Sequence, residues 1–376
     1  MPNDPIGDKA GNTKRCYQLL EYFQNLNDKL EVDFISFNSW KDDSVSKFRE
    51  LFPDIVLTLI DQQGPKSKNY ILYFLIDKLP KLFTQLFTGE YTISRCTPYV
   101  NKKFKNAVEG KTYDISLISY AYWGDLQKHV KSTYSINDTH DFVTKQFMVI
   151  KKNLPSIIGK LFQEELKILN RYDEIWSYSV EEHFIFEQFL DKKVQLLPIS
   201  FPIHKLSQDR KFQYEVLYVA SDNPHNEESV KWFIHNVLPL LKGVKIYTVG
   251  KICRLIPEHP SIIKLGIVEN LEDIYSKSKI TICPMTSGTG IKIKVLESLS
   301  FGLPVVTNRR GVDGLVNKSK NGCLVSNSPI EFASYILRLL EDNFFYQKIS
   351  QEGQEFFKDN YSKEREFQIL NDIFLS

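Results

Sequence analysis

Residues 284–307 read PMTSGTGIKIKVLESLSFGLPVVT. They fall into a strand end, a glycine loop, an amphipathic helix, a tight turn and the next strand. In the loop Ser287-Gly288-Thr289-Gly290 the glycines let backbone N–H groups approach a ligand closely. A helix beginning near Ile291 aims its unbonded N–H donors and the positive end of its dipole at the same place. Together these make an anion site, and its size suits a diphosphate. Lys292 or Lys294 adds charge there, and Glu297, two turns into the helix, is placed to accept hydrogen bonds from ribose hydroxyls. A glycine pair before a helix also occurs in tight βα turns that bind nothing, so the weight rests on the whole string.

Outward from this segment the chain alternates short β-rich runs with amphipathic stretches, as α/β domains with parallel sheets do. In the first half the expected strands are 32–37, 54–59, 114–119, 134–137, 174–178 and 194–197. A helix over 15–26 places Cys16, Leu19, Leu20, Phe23 and Leu26 on one face. Pro198, Pro202 and the polar stretch 207–211 read as a linker. A second series of strands follows at 216–220, 244–249, 262–265, 279–283, 303–307 and 322–325, with a last helix over 362–375. The pattern predicts two Rossmann-like domains in tandem, over 1–205 and 206–355. A C-terminal helix, 356–376, is expected to pack back toward the first domain.

The 376 residues suffice for two domains with cores of their own, and 42% hydrophobic with 25% charged residues marks a globular chain. Lys plus Arg number 48 against 46 Asp plus Glu, a net charge of +2 that predicts no nucleic-acid partner. The five cysteines, Cys16, Cys96, Cys253, Cys283 and Cys323, form no C-x-x-C pair and have no histidine at ligand spacing. Neither a zinc site nor a disulfide framework is indicated, and a reducing cytoplasm fits. No apolar run approaches the ~20 residues of a membrane span, and the polar N-terminus is unlike a signal peptide.

The string G-x-G-I-K-x-K-x-L-E-x-x-x-x-G-x-P-V-V over Gly288 to Val306 resembles the nucleotide-sugar site of retaining GT-B glycosyltransferases of family GT4, glycosyl transferases group 1. The likeness continues through 308–315, NRRGVDGL, with Asp313 where the family carries glutamate. Upstream, 219–233 (VASDNPHNEESVKWF), Val249-Gly250-Lys251 and 266–275 (GIVENLEDIY) are similar to the elements that open the family's donor domain. Two positions depart from the family. The first glutamate of its E-x7-E pair falls on Thr289, and no basic residue is evident near Asn223 to Glu228.

The resemblance implies a cytoplasmic, retaining glycosyltransferase, with no metal or other cofactor. Such an enzyme moves a sugar from a nucleotide diphosphate sugar to a glycan or lipid-linked glycan acceptor in polysaccharide synthesis. Donor contacts fall on Gly11, Gly288, Thr289, Gly290, Ile291, Lys292 and Glu297. His140, in 135–142 (SINDTHDF), stands directly after an expected strand, where the family places a histidine that faces the transferred sugar. Asp141 either orients that imidazole or caps the next helix, the cap being favoured. His183, His204, His225 and His235 lack such context and read as surface or packing residues.

The loop 7–15, GDKAGNTKR, looks like the glycine loop after the first strand of the acceptor domain. No residues precede it to form that strand, so the first strand of the N-terminal domain is expected to be missing. A start upstream of Met1 is favoured over a lost core strand. In 77–87, DKLPKLFTQLF, helical spacing groups Leu79, Leu82, Phe83, Leu86 and Phe87, with Lys102, Lys103 and Lys105 nearby. Through 78–87 the chain either packs a core-facing helix or rests peripherally on the inner face of a membrane. Two other functions remain in view: a non-catalytic homologue scaffolding a polysaccharide-assembly complex, and a GT-B sugar epimerase, which fits the donor loop poorly.

Overall fold

A computed structural model describes residues 4–6, 11–63, 70–79, 82, 92–150, 155–204, 211–288 and 290–375. The chain divides into two α/β units. One comprises Met1–Tyr178 with Glu182–Leu196, the other Ser179–Glu181 with Leu197–Ser376.

The second unit carries β7 (Tyr214–Val219), β8 (Ile246–Val249), β9 (Ile262–Gly266), β10 (Ser278–Cys283), β11 (Val305–Thr307) and β12 (Cys323–Val325). They form one parallel sheet in the order β12-β11-β10-β7-β8-β9. Central strands of such a sheet are covered on both faces, and Val216, Leu217 and Tyr218 of β7 are shut off from water accordingly. The strand order reverses between β7 and β10. Helices leave the carboxyl ends of both strands there, and such a switch point is where open α/β sheets bind ligands.

In the first unit β1 (Val32–Phe37) pairs β2 (Ile55–Ile60), with Val32 opposite Ile55 and Phe37 opposite Ile60. A separate parallel sheet runs β3 (Tyr113–Ser119), β4 (Ser132–Asp138), β5 (Glu174–Ser177) and β6 (Lys193–Leu196). Set beside the order of the second unit, the place between β1 and β3 corresponds to that of β7. Among the described residues no strand occupies it. Pro5 and Ile6 lie in a turn, and the first helix runs Gly11–Gln24. Side chains tie the two sheets together: Asp33 of β1 accepts hydrogen bonds from Lys111 Nζ at 2.6 Å and from the Tyr113 hydroxyl at 2.8 Å. Val32, Asp33, Phe34 and Ile35 stay half-buried, whereas Val216, Leu217 and Tyr218 of the central strand β7 are buried.

The expected boundary at 205/206 is found at Leu196/Leu197, because the next residues bind to the C-terminal helices. Phe201 N–H donates to the Tyr361 carbonyl at 3.0 Å, and Ser200 bonds the Glu366 carboxylate. Ile199 and Phe201 share a core with Val295, Leu296, Phe357 and Tyr361. The helix Lys363–Phe374 thereby falls in the second unit. Of the expected linker 207–211 only Lys211 lies within the described residues, and of 78–87 only Lys78, Leu79 and Leu82.

Candidate functional site

Two groups of polar side chains, one in each unit, stand at carboxyl ends of strands. In the second unit the glycine loop leaves β10 and the helix Ile293–Ser300 follows it, with Lys292 at the N-cap position, two residues beyond the start expected from sequence. Gly288 and Gly290 have φ of +94° and +71°, the left-handed region that glycine tolerates best. Thr289 lies outside the described residues. Gly314 shows why the 308–315 motif belongs to this site: a Cβ on it would stand 3.0 Å from the Ile291 backbone nitrogen, so only glycine lets the two loops meet.

The two lysines do different things. Lys292 is buried and folds back, its Nζ donating to the Gly290 carbonyl at 2.7 Å, which braces the loop. Lys294 crosses to the end of β7, where its Nζ donates to Asn226 Oδ1 at 2.8 Å and lies 5.3 Å from the Tyr218 ring centre. Burial lowers its pKa, partly offset by Cys283 and Glu297. Glu297 accepts a hydrogen bond from the Tyr275 hydroxyl at 3.2 Å. Tyr275 stacks on Phe301, and Phe301 stacks on His204 at 3.7 Å. These contacts lie on and beside the helix that carries Glu297, at the switch point of the sheet.

Facing the glycine loop is the helix Pro224–Trp232, capped by Asn223, whose side chain accepts the Asn226 N–H. Ser287 donates its hydroxyl to Glu228 Oε2 at 2.7 Å and lies 2.9 Å from His225 Nδ1. His225, read from sequence as a surface or packing residue, is half-buried against the loop. Its partner is 62 residues away in the chain, so no local spacing reveals it. The position alone was a signal, since His225 stands second in a helix that opens at the end of the first strand of its unit.

In the first unit His140 is the middle residue of a three-residue turn closed by Asp141 N–H on the Thr139 carbonyl at 2.6 Å. Thr139 in turn donates its hydroxyl to the Trp176 carbonyl at 2.8 Å. The turn forces φ of +57° on His140, and Tyr120, at the end of β3, has φ of +67°. Backbone of this kind costs on the order of 1–3 kcal/mol in non-glycine residues and persists where the surroundings impose it. The imidazole stacks between Tyr120 and Tyr178, at 4.3 and 5.1 Å.

Its Nδ1 lies 3.3 Å from the Tyr178 hydroxyl and its Nε2 3.2 Å from Asp138 Oδ2. Tyr178 donates to the same carboxylate at 3.0 Å. Burial pushes the Asp138 carboxyl up, but His140, Arg15 and Tyr178 more than offset it and hold it below the usual range. Arg15 is buried beside Trp176 and Tyr178, on the helix that Gly11 opens. Arg15 thus sets the helix that Gly11 opens beside the Asp138 and His140 network. The His140 side chain is only 3% exposed, turned toward these partners.

Asp141 does not cap the helix Val143–Ile150. Glu165, from the helix Pro155–Leu169, does: its carboxylate accepts from Val143 N–H, Thr144 N–H and the Thr144 hydroxyl at 2.8, 2.8 and 2.6 Å. A cap donated from 21 residues away leaves no local signature in the sequence.

Residues 213–342 match the family described as glycosyl transferases group 1. An uncharacterized 44.6 kDa protein from the cps region of Klebsiella pneumoniae is 24% identical over 287 residues, covering 69% of this chain and 74% of that one. Sucrose-phosphate synthase from Thermosynechococcus elongatus superposes with a TM-score of 0.67 at 13% identity, over 99% of this chain and 96% of its own. HepE from Anabaena, solved in complex with UDP, gives 0.65 at 14% identity over 98% and 97%.

Proposed function

We propose that this chain, a glycosyltransferase of group 1 with the GT-B fold, moves a sugar from a nucleotide diphosphate sugar to a glycan or lipid-linked glycan acceptor, with retention and without a metal. The observation that carries the reading is the glycine loop at the switch point of the second sheet. There Gly288, Gly290 and Ile291 present backbone to a ligand, and the helix of Glu297 begins. In this reading the diphosphate lies on the loop and the helix N-terminus, with Thr289 part of the same loop and Lys292 holding it in shape. Glu297, oriented by Tyr275, takes the ribose hydroxyls. UDP in HepE supports a nucleotide ligand for this fold.

His140 is assigned to the transferred sugar. Under a front-face mechanism the departing diphosphate accepts the proton of the attacking hydroxyl, so no protein nucleophile is needed. Hydrogen bonding to the sugar supports the charge that develops at its anomeric carbon. Gly11 is assigned to the donor, through the helix it opens. A role in cell-surface polysaccharide synthesis is supported by the Klebsiella relative from a cps region.

A lipid-linked acceptor and peripheral contact with the inner membrane face suit the exposed apolar residues Ile71, Phe74, Leu75 and Leu82, with Lys102, Lys103 and Lys105 on the helix Pro98–Val108. Among the described residues no helix is long and apolar enough to cross a membrane.

Calorimetric titration with UDP, GDP and their common sugar conjugates tests the proposal. Saturable binding to one nucleotide class, weakened in Glu297→Ala, is the expected result. A folded protein that binds none of them would overturn the reading and leave the scaffold.

A further inference from the structure

No basic residue is evident after the opening strand of the second unit, yet the structure sets an imidazole beside the glycine loop. His225 follows β7 at the second position of the helix Pro224–Trp232, and a Cβ on Gly288 would touch its Cγ and Cδ2 at 3.5 and 3.7 Å. The Cγ–Cδ2 side of the ring therefore lies beside the glycine loop.

Hydrogen-bond bookkeeping fixes one ring nitrogen. The Ser287 hydroxyl has one proton, and Glu228, when ionised, only accepts. Ser287 gives that proton to Glu228 at 2.7 Å and its oxygen then accepts from His225 Nδ1–H at 2.9 Å. With Nδ1–H committed to Ser287, Nε2 is the ring nitrogen that can meet a ligand, and it donates to a phosphate oxygen when both ring nitrogens carry a proton. Ser229 anchors the same helix to the loop, taking the Thr286 N–H at 3.3 Å while donating to the His225 carbonyl at 2.6 Å.

We propose that His225 donates through Nε2 to the distal phosphate of the nucleoside diphosphate, the phosphate that leaves with the nucleotide, and that Ser287 and Glu228 are its positioning residues. The inference rests on the donor site proposed above. It adds a named contact to the group on which negative charge grows as the glycosidic bond breaks.

The test compares UDP with UMP, and GDP with GMP, by calorimetry on the whole chain. The wild type should bind the diphosphate of one base more tightly than its monophosphate. His225→Asn keeps a donor toward Ser287 but has nothing at Nε2, so that preference should fall by on the order of tenfold. His225→Gln places an amide donor near Nε2 and should recover most of it. Ser287→Ala, which frees the ring to turn, should lose part of the preference while monophosphate binding holds, and it serves as the reporter if His225→Asn fails to fold. An unchanged diphosphate preference in a folded His225→Asn or Ser287→Ala variant would overturn the inference, as would equal weakening of both ligands, which is the signature of packing. A folded wild type that binds neither nucleotide would overturn the donor site itself, a different and recognisable outcome.

Discussion

The rings of Tyr120 and His140 lie 4.3 Å apart and within 18° of parallel, and each residue holds left-handed backbone at the end of a neighbouring strand. Neither conformation is local habit. Tyr120 N–H is bonded to the Asp138 carbonyl at 2.7 Å, and the His140 turn hangs on Thr139 and Trp176. Two strained positions built to hold one stack indicate that the orientation of the imidazole matters more than its exposure. His140→Ala should lower turnover on the order of a hundredfold with nucleotide binding largely retained. Tyr120→Leu, which removes a contact worth roughly 0.5–1.5 kcal/mol, should cost up to about tenfold. Steady-state kinetics beside calorimetric titration separates the two effects, and full turnover in His140→Ala would remove its assignment.

Glu165 gives a prediction about pH. Burial pushes its carboxyl up to about 7 from 4.5, against the hydrogen bonds from Thr144 and Val143 that pull it down. A folded-state pKa raised above the unfolded one means that the folded chain binds the proton more tightly. The contribution is fully present below about pH 4.5 and is lost as pH rises to about 7. Across that window it amounts to about 3 kcal/mol. In Glu165→Gln this dependence is absent, so the wild type should lose stability relative to the variant by that amount between the two pH values. Urea unfolding of both proteins at intervals across the window checks the sign.

Glu297 is held by the Tyr275 hydroxyl, and Tyr275 itself lies in an aromatic stack with Phe301. If the carboxylate reads ribose hydroxyls, 2′,3′-dideoxynucleoside diphosphates should bind the wild type about tenfold more weakly than the ribose forms. Glu297→Ala should weaken the ribose forms to the same level and abolish the difference. Tyr275→Phe leaves the carboxylate present but unanchored, so it should show a smaller loss. Competition titrations with the paired nucleotides give both quantities.

What was legible in the sequence is what local pattern encodes. The runs around Val216, Ile280 and Ile136 are apolar, β-branched and bounded by turn residues, and all twelve expected strands are found, all but 32–37 with shifted ends. The string from Gly288 to Glu297 was legible because one loop and one helix turn carry it. The contacts that sequence reasoning missed join residues distant in the chain: His225 with Ser287, and Glu165 with Val143 and Thr144. The division of the chain was misplaced because Phe201 meets Tyr361 and Ser362, a pairing that no composition shift announces. Lys292 and Lys294 stood as alternatives in sequence and separate only in space, one bracing Gly290 and the other reaching Asn226.

The bond from Tyr113 to Asp33 spans the place where the first sheet is interrupted. Burial, and then Asp33 itself, pushes the Tyr113 hydroxyl pKa well up, so the tie stays protonated and intact through neutral pH. A side-chain bridge closes the gap at one end only, and it cannot satisfy backbone groups along it. In a parallel strand successive amides point to opposite neighbours, and in β3 those that face away from β4 have no ladder partner among the described residues. By contrast β7 is paired on both sides, by β10 and by β8. Native-state hydrogen exchange should therefore show alternating protection along Tyr113–Ser119, and continuous protection along Tyr214–Val219. Protection in β3 as continuous as in β7 would mean that another extended segment pairs there. In that case the Asp33 to Tyr113 bridge would be the rim of a complete sheet rather than the link between two incomplete ones.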